Sequence, residues 1–581
     1  MNRLNLLFGV HFGNPKGDLE RHYRRAYLPF FKTMESHPRF KFSFYMSGLL
    51  CAWLKQNHPE LLQMVRQMVA RRQAEVFCGA YSNAILPLIP DHDKIAQIKK
   101  HRDYMNNIFG ADCRGIYLTN HVWDPHLPKI LSRLEIDYAL VPDRDFQDPH
   151  GYYVTEEEGQ VTNLFPVSSA LDYYIPCRKP EELSGYLEKV LSEGANSIVF
   201  WGRGESFGVD KGSDVWIYDQ GYLDNLLSLI EENASWINLS TFSEHFEENV
   251  PRGKIYLPPT AGLNEYKLHN LHKKMLHVSS RMEALSKSSH PLIEEARESL
   301  FRGQALHDLS SVDERSEIYG QLIVAETALS RLNHGAGGYT ELLVTDFDKD
   351  GHEEVLMGND QLNLYFSPVN GGSVFEIDFK PKQANLCQHP SLKDHFFSPS
   401  LTGHDLKSYS FSECGDFIGG AYSFMLHRKK EEVGVTLSRT SAGLKLSKKV
   451  WLFSGQSIFH IQYEITNLEE KEKILWFGPE FVFTLNGGLF YNISGRKIKS
   501  DSSGILYKVS EVELVDDRKG FGISLSFERE GMLNHFPIEK LVKDEEGYRR
   551  EHEGTKLIPI WYVKLGANQS WSTQITARIE V

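Results

Sequence analysis

Long apolar runs are absent from this sequence, and none approaches the length that a membrane-spanning helix needs. The apolar stretch at residues 4–10 is followed by no small-residue cleavage site, so we do not expect a signal peptide. Cysteines are few, six in 581 residues, and no two of them form a C-x-x-C pair. Scattered cysteines are typical of reduced thiols rather than of a disulfide framework. The sequence therefore predicts a cytoplasmic protein with no membrane partner.

Basic residues are also in deficit, because 64 Lys and Arg stand against 77 Asp and Glu, a net charge of −13. A surface of this sign repels a phosphate backbone, so nucleic acid is not an expected partner. The hydrophobic content of 41% is ordinary for a soluble globular protein. A chain of this length is expected to form two to four domains.

Residues 1–250 alternate short apolar runs with amphipathic helical patterns, which is typical of repeated strand–helix units around a parallel sheet. We predict strands at 4–12, 40–46, 75–78, 115–118, 138–141, 197–200 and 238–240. Seven strands with intervening helices favour an incomplete or distorted barrel over an open sheet. We therefore assign 1–250 to one barrel domain.

The rest of the chain shows two further patterns. Helical periodicity dominates from 251 to 335, which predicts a helical subdomain. From 340 to 581 short strand-like segments separated by turns predict an antiparallel β-sandwich. The expected fold class is therefore α/β plus all-β.

Polar and aromatic side chains cluster at the ends of the predicted strands, the position at which barrel enzymes carry their chemistry. They are His11 in "VHFGNP", Glu75 in "RRQAEVF", Asn120, Trp123 and Asp124 in "GIYLTNHVWDP", and Trp201, Arg203 and Glu205 in "VFWGRGESFG".

Taken in order, these stretches resemble glycoside hydrolase family 57, the amylase and 4-α-glucanotransferase group. The resemblance covers nearly the whole chain, including the helical stretch "NLHKKMLHVSSRMEAL" and the start of the predicted sandwich. It implies a distorted (β/α)7 barrel, a helical subdomain and a C-terminal antiparallel β-sandwich. It also implies α-glucan substrates and a retaining mechanism, in which one carboxylate attacks and another serves as general acid and base.

Both carboxylates of the family are replaced in this sequence. The family's nucleophilic Glu, in W-L-T-E-x-V-W, matches Asn120 in "YLTNHVW". Its acid/base, the second Asp of H-D-D-G-E-x-F-G, matches Arg203 in "WGRGESFG". A neutral amide cannot hold a glycosyl ester, and arginine keeps its protons at any working pH. We therefore expect no catalytic residue of the family's kind and no retaining reaction.

The other motif residues are expected to line a surviving sugar cleft. The candidate substrate-binding residues are His11, Glu75, Trp123, Asp124, Trp201 and Glu205. Asp124 is open to a second interpretation, as the cap of the helix that Pro125 starts. Arg203 is expected either to pair with Glu205, Glu75 or Asp124, or to bind a phosphorylated or acidic sugar.

Several functions stay open. The leading hypothesis is a protein that binds an α-glucan or a small sugar, or that regulates an active paralogous carbohydrate enzyme. A rival keeps catalysis through Asp124 and Glu205 as an inverting pair, which needs a separation of about 6.5–9.5 Å. A third is a structural interaction protein, and a homodimer is left open. A metal-dependent deacetylase is disfavoured, because His11 and His121 have no matching metal-binding Asp.

An acidic run, "DFDKDGHEE", opens the predicted sandwich. The candidate metal ligands are Asp346, Asp348, Asp350 and Glu354, in an order that resembles a calcium loop. The bidentate Glu of such loops is missing, because Met357 stands at its position. We predict either a structural Ca²⁺ or an unoccupied acidic turn, and no cofactor for the chemistry.

Overall fold

The computed structural model describes residues 3–13, 17–285, 290–306, 309–335, 337–485, 490–493, 496–499, 502–544 and 547–581. The chain divides into an N-terminal unit, Met1–His272 with Gln304–His307, and a C-terminal unit, Lys273–Gly303 with Asp308–Val581. The segment 251–335, predicted as a helical subdomain, is thus shared between the two units. Among the described helices, none is both long and apolar enough to cross a bilayer.

The N-terminal unit contains a distorted barrel. Its strands are β1 (Leu4–Phe12), β2 (Phe42–Met46), β3 (Ala74–Val76), β4 (Gly115–Ile116), β5 (Tyr138–Pro142), β6 (Tyr153–Glu157), β7 (Gln160–Val167), β8 (Ser197–Arg203) and β9 (Ile237–Leu239). Parallel pairing links β8, β1, β2 and β3, and separately β4, β5 and β7. A bridge from Cys78 to Ile116 joins the two groups on one side. On the other side, the Ser168 N–H donates to the Val199 carbonyl at 2.9 Å. Seven parallel strands of the described chain thus form the predicted ring.

Helices surround these strands. They are α1 (Leu19–His22), α2 (Leu28–Ser36), α3 (Gly48–Asn57), α4 (Pro59–Ala70), α5 (Asp91–Phe109), α6 (Leu127–Arg133), α7 (Ser169–Tyr174), α8 (Pro180–Ser192), α9 (Tyr222–Glu232), α10 (Phe242–Glu248) and α11 (Leu263–Leu268). The next helix, α12 (Asn270–Ala284), crosses the boundary between the units. Strand β1 is almost entirely buried, which explains its near-continuous apolar sequence, because helices cover parallel strands on both faces.

One of the seven strands that form the barrel differs from the prediction. The hairpin β6–β7 was missed, although its two-residue turn at Glu158 and Gly159 has the positive φ angles, 50° and 78°, of a tight hairpin. The segment predicted at 238–240 is the short strand β9, and among the described strands its partner is the start of β1. The seventh ring strand is therefore β7 rather than β9.

The C-terminal unit is built from antiparallel sheets. Its helices are α13 (Pro291–Gly303), α14 (Val312–His334) and α15 (Gly403–Ser408). Its first sheet runs β10 (Thr340–Thr345), β11 (Glu354–Asn359), β12 (Leu362–Ser367), β13 (Ser373–Phe379) and β14 (Ala384–Asn385).

A second, larger sheet faces the first. Its strands are β15 (Lys393–Phe397), β16 (Ser423–Arg428), β17 (Glu432–Ser441), β18 (Leu444–Phe453), β19 (Ile458–Asn467), β20 (Lys473–Phe483), β21 (Phe490–Ile493), β22 (Arg496–Lys499), β23 (Gly504–Asp516), β24 (Phe521–Asp544), β25 (Gly547–Leu565) and β26 (Ser570–Glu580). Alternate residues of both sheets form one shared core, to which Met357 and Val435 belong. The predicted antiparallel sandwich is thus confirmed.

Candidate functional site

A cavity of about 800 Å³ opens at the carboxyl ends of the barrel strands. Its lining comes from the carboxyl ends of β1 and β8 and from the segments that follow β4, β7 and β8. His11 of β1 and Arg203 of β8 lie side by side in the parallel register. This is the end of a parallel barrel at which ligands bind.

Asn120 lies at the rim of this cavity, in a short turn over Thr119–His121. Its backbone is left-handed, with φ 54° and ψ 22°, and the φ of His121 is 53°. The Asn120 N–H donates to the Tyr117 hydroxyl at 3.3 Å, and the Thr119 hydroxyl donates to the Asn83 side-chain oxygen at 2.9 Å. Two successive non-glycine residues in this region store strain, which is typical of functional sites. The side chain at this strained, exposed position is a neutral amide.

Stacked aromatic rings form one wall of the cavity. The His11 ring lies on Tyr117, with 4.5 Å between the centroids, and Tyr117 lies on Trp201 at 5.8 Å. Burial lowers the pKa of His11 to about 3, helped by the nearby His121 and Arg203, and burial lowers the pKa of His121 to about 4. Both imidazoles are therefore neutral at pH 7 and offer hydrogen bonds without charge.

Arg203 projects into the cavity with 60% of its side chain exposed. Its guanidinium donates to the Ser206 hydroxyl at 3.3 and 3.4 Å and to Asp210 Oδ2 at 3.4 Å. The acidic partner is thus Asp210, and the predicted pairing with Glu205, Glu75 or Asp124 is wrong. These long contacts leave the guanidinium positioned only loosely.

Glu75 does not line the cavity. It lies at the start of the short strand β3, where it accepts hydrogen bonds from the Ser43 hydroxyl at 2.9 Å, the Tyr138 hydroxyl at 2.5 Å and the Phe242 N–H at 2.8 Å. Phe242 is the first residue of α10, so the Glu75 carboxylate stabilises that helix end. The amino end of a barrel strand is where structural residues are expected.

The proposed inverting pair is not brought together at the cavity. Glu205 accepts a hydrogen bond from the Tyr27 hydroxyl at 2.9 Å, and burial raises its pKa. Asp124 accepts from the His126 N–H at 3.0 Å in the turn before α6. Neither residue is part of the cavity lining, so the carboxylates do not face a common ligand space.

The two predicted stacking tryptophans are both buried, each 2% exposed. Trp201 contributes to the aromatic wall of the main cavity. Trp123 lines a separate cavity of about 200 Å³ and donates its backbone N–H to the Thr260 hydroxyl at 2.8 Å. Neither ring exposes the open face that sugar stacking requires.

Among the cavity residues that the sequence did not point to are Asp172, Asp210 and Trp216. Burial raises the pKa of Asp172 to about 6, and the Asp143 carboxylate adds to this. Trp216 is half-buried in the turn Val215–Asp219, and its indole N–H donates to the Pro176 carbonyl at 2.8 Å. Asp172 follows β7, the strand that was missed, so its position could not be recognised as a strand end.

The acidic loop between β10 and β11 brings three of its four predicted ligands together. Ligand oxygens of Asp346, Asp348 and Glu354 lie within 4.8 Å of one another. Asp346 Oδ1 and Glu354 Oε1 are buried without a hydrogen-bond partner among the described residues. Burial, followed by the neighbouring acids, raises the pKa of Glu354 to about 7. Asp350 is outside this group and accepts from the His352 N–H at 2.8 Å. Hard oxygen donors left unsatisfied in this way fit Ca²⁺.

Comparison with known families gives two matches. A family model described as "Glycosyl hydrolase family 57" matches residues 5–258. A second, described as "Alpha-amylase/4-alpha-glucanotransferase, C-terminal", matches 346–389 and 387–575. The first covers the barrel and the second covers the sandwich.

Similar proteins span the whole chain. "Alpha-amylase 1" of Dictyoglomus thermophilum is 29% identical, over 98% of this chain and 98% of its own. A "4-alpha-glucanotransferase" of Thermococcus kodakarensis is 26% identical, over 96% and 98%. The crystal structure of a 4-alpha-glucanotransferase of Thermococcus litoralis superposes with a TM-score of 0.84 at 24% identity, covering 100% of both chains. The alignment with the first runs over 689 residues, more than the 581 of this chain, so that relative has segments that are missing here.

Proposed function

Because this chain belongs to glycosyl hydrolase family 57, we propose that its barrel cavity binds an α-glucan or a smaller α-linked sugar without performing the retaining reaction. Its role is then to bind the sugar or to regulate an active carbohydrate enzyme. The relatives that it resembles are described as alpha-amylases and 4-alpha-glucanotransferases, which supports an α-linked ligand.

The observation that carries this proposal is the pair of side chains at the cavity. Asn120 and Arg203 stand where the family resemblance puts nucleophile and acid/base, and both line the cavity. A retaining reaction needs two carboxyl groups about 5–5.5 Å apart, one ionised and one protonated. An amide and a guanidinium supply neither group.

A neutral sugar suits this cavity better than an acidic one. Its volume lies within the range of ordinary small-molecule sites. The charge of Arg203 is opposed by Asp210, 3.4 Å away, and by the carboxyl of Asp172. The lining therefore has no surplus of positive charge to attract an anion.

A second candidate function, hydrolysis by relocated carboxylates, rests on Asp172 and Asp210. Both line the cavity, and the raised pKa of Asp172, about 6, suits a general acid. If this candidate is right, Asp172→Asn abolishes a measurable turnover of maltooligosaccharides. If the binding proposal is right, there is no turnover for that variant to remove.

The direct test pairs calorimetry with a turnover assay on maltoheptaose, with the β-linked cellobiose as a control sugar. We expect binding of maltoheptaose, no binding of cellobiose and no cleavage or transfer. Turnover with retention of the anomer by the unmodified protein would overturn the proposal, and so would the absence of any α-glucan binding.

The binding site can be located through Cys177, an exposed free cysteine in the cavity lining. Alkylation with a bulky maleimide places a large group in the cavity and should prevent sugar binding. The Cys177→Ser protein, treated in the same way, should still bind. Equal binding by the alkylated wild type would place the sugar elsewhere.

Restoring the carboxylates tests whether the rest of the site survives. Asn120→Glu with Arg203→Asp provides both groups, while Asn120→Gln with Arg203→Asn is a matched pair without them. We expect any gained glucan cleavage to occur only in the first pair. Cleavage by the second pair would show that the chemistry does not depend on these positions.

We also propose that Asp346, Asp348 and Glu354 hold a structural Ca²⁺. The support is the pair of unsatisfied buried oxygens described above. The ion has no part in the proposed sugar binding, since its ligands belong to the C-terminal unit.

A further inference from the structure

A second cavity, of about 500 Å³, lies within the C-terminal unit. Its walls come from α12, α14, strands β10 to β12 and the turn between β16 and β17. Its lining includes three consecutive basic residues, Arg428, Lys429 and Lys430, whereas Arg203 is the single Lys or Arg in the described lining of the barrel cavity.

The floor of this cavity offers paired donors and acceptors. Arg281 donates to Glu326 Oε1 at 3.1 Å and to the Ser330 hydroxyl at 3.0 Å. These bonds use two of the five N–H donors of a guanidinium. The Tyr365 hydroxyl donates to the same Glu326 oxygen at 2.7 Å. The remaining Arg281 donors and the Glu341 carboxylate, both part of the lining, suit the hydroxyl groups of a polyol, which both accept and donate.

The acids of the floor have basic partners. Glu326 lies between Arg281 and Lys274, whose Nζ is 3.0 Å from Glu326 Oε2 and also contacts Asp378 and Glu376. Glu341 accepts from His334 Nε2 at 2.8 Å and lies 4.0 Å from Arg281. Each of the two acids in the lining therefore has a basic side chain beside it.

The mouth, in contrast, is basic. Arg428, Lys429 and Lys430 are consecutive, exposed and part of the lining. Lys429 pairs with Glu432 at 2.8 Å, and Arg428 donates to the Leu342 carbonyl. Within the described chain, neither Arg428 nor Lys430 has an acidic side chain within 4.0 Å. Arg428 and Lys430, two cationic side chains without an acidic partner among the described residues, thus lie at the mouth of this cavity, although the net charge of the protein is −13.

We propose that this cavity binds a sugar-sized polyol that bears one anionic group, a phosphate or a carboxylate. The anion lies at Arg428 and Lys430, since guanidinium and ammonium groups hold such oxygens through charge-assisted hydrogen bonds. The hydroxyl groups contact Arg281 and Glu341 on the floor, whose side chains are 23% and 26% exposed. The cavity volume accommodates a ligand of this size.

The test is a calorimetric titration of the full-length protein with four probes: glucose 6-phosphate, glucuronate, glucose and inorganic phosphate. We expect one of the two anionic sugars to bind at least tenfold more tightly than glucose or phosphate, and the affinity to fall as salt rises. Which of the two binds identifies the anion. Failure of both to bind would overturn the proposal.

The site is checked with Arg428→Ala combined with Lys430→Ala, two exposed positions, and a thermal melt of the double variant controls for the loss of the Arg428 bond to Leu342. We expect at least a tenfold loss of anionic-sugar binding. Lys445→Ala, an exposed lysine on β18 outside the lining, is the matched control and should bind normally. Unchanged binding in the double variant, or an equal loss in the control, would overturn the assignment.

This proposal does not depend on the barrel cavity. Protein alkylated at Cys177 should lose α-glucan binding but keep binding of the anionic sugar. Loss of both on alkylation would place the anionic sugar in the barrel and overturn the second site, while leaving the first intact.

Discussion

At Asn120 the backbone holds a left-handed conformation at the edge of the cavity, with φ 54°. Among residues with a side chain, Asn and Asp adopt this region most readily, whereas other L-residues pay roughly 1–2 kcal/mol. Asn120→Ala should therefore lower the free energy of unfolding by about 1 kcal/mol. Asn120→Gly should lower it by less than half of that, since glycine adopts the same backbone without strain. Urea unfolding followed by tryptophan fluorescence measures both, and equal losses would contradict the role of the backbone.

Asp172 provides a prediction on pH. Its pKa is raised from 3.8 to about 6 by burial and by Asp143, so the folded protein binds a proton that the unfolded chain has released between these values. The wild type should therefore lose stability as the pH rises from 4 to 6, and lose no more above it, through this group. Because part of the Asp172 side chain still reaches solvent, screening by water keeps the effect small.

The matched variant for this prediction is Asp172→Asn, which cannot titrate. Its thermal midpoint should equal that of the wild type near pH 4 and exceed it at pH 7. Asp210→Asn, in the same cavity, should not reproduce this pH-dependent difference. A midpoint difference between Asp172→Asn and wild type that stays constant from pH 4 to pH 7 would contradict the raised pKa.

The sequence identifies candidate residues of the site, but it does not predict the directions in which their side chains point. The motif order led to Asn120, His11 and Arg203, all of which line the cavity. Glu75 belongs to an equally recognisable motif, yet it contacts the start of α10 instead. A motif fixes position along the chain, and only the packing of the strands decides which end of the barrel a side chain reaches.

At the scale of elements, the strand β7 shows where periodicity fails. Its second half, from Leu164 to Val167, is buried, while its first half combines exposed Gln160 and Val161 with buried Thr162, so no single pattern covers the strand. The two residues Glu158 and Gly159 form a tight hairpin turn with positive φ angles. Strand propensity alone does not identify such a turn. Without β7, the helix α7 that follows it and carries Asp172 could not be placed at the cavity.

Helix α12 is attached to its own unit by a buried ion cluster. Lys274, fully buried, contacts Glu326 at 3.0 Å, Asp378 at 2.7 Å and also Glu376. Lys274→Met should lower the free energy of unfolding by about 3–5 kcal/mol, because it leaves buried carboxylates without a counter-charge. The partly exposed neighbour Lys273 offers a control. Lys273→Met should change the free energy of unfolding by less than about 0.5 kcal/mol. Equal effects of the two variants would contradict a special role for the cluster.

The turn between β10 and β11 leads to a prediction on calcium. Adding Ca²⁺ to protein treated with EGTA should raise the unfolding free energy, by about 2.7 kcal/mol at a hundred times the dissociation constant. Asp348→Asn should remove this gain because it deletes one of the three clustered ligands. Asp517→Asn, an exposed position of the same unit, should retain it. A gain that survives in Asp348→Asn would place the ion elsewhere.

For the whole molecule, the sequence predicts the type of structure in each region better than it predicts the boundaries of the compact units. The alternating pattern of the first 250 residues and the β pattern after 340 predicted a barrel and a sandwich, and both are present. The helical stretch 251–335 between them is predicted to form a third domain, but its helices belong to the two units. Periodicity reports which face of a helix is buried and not which partner buries it, so this division needed the structure.

Two units with separate ligands lead to the last prediction. Differential scanning calorimetry should resolve two transitions, since each unit has its own core. Maltoheptaose should raise one of them, and Ca²⁺ should raise the other, because a ligand stabilises only the folded unit that binds it. Alkylation of Cys177 should cancel the first shift alone, and Asp348→Asn the second alone. If the sugar raised the transition that responds to calcium, and alkylation of Cys177 left this shift intact, the α-glucan site would lie outside the barrel.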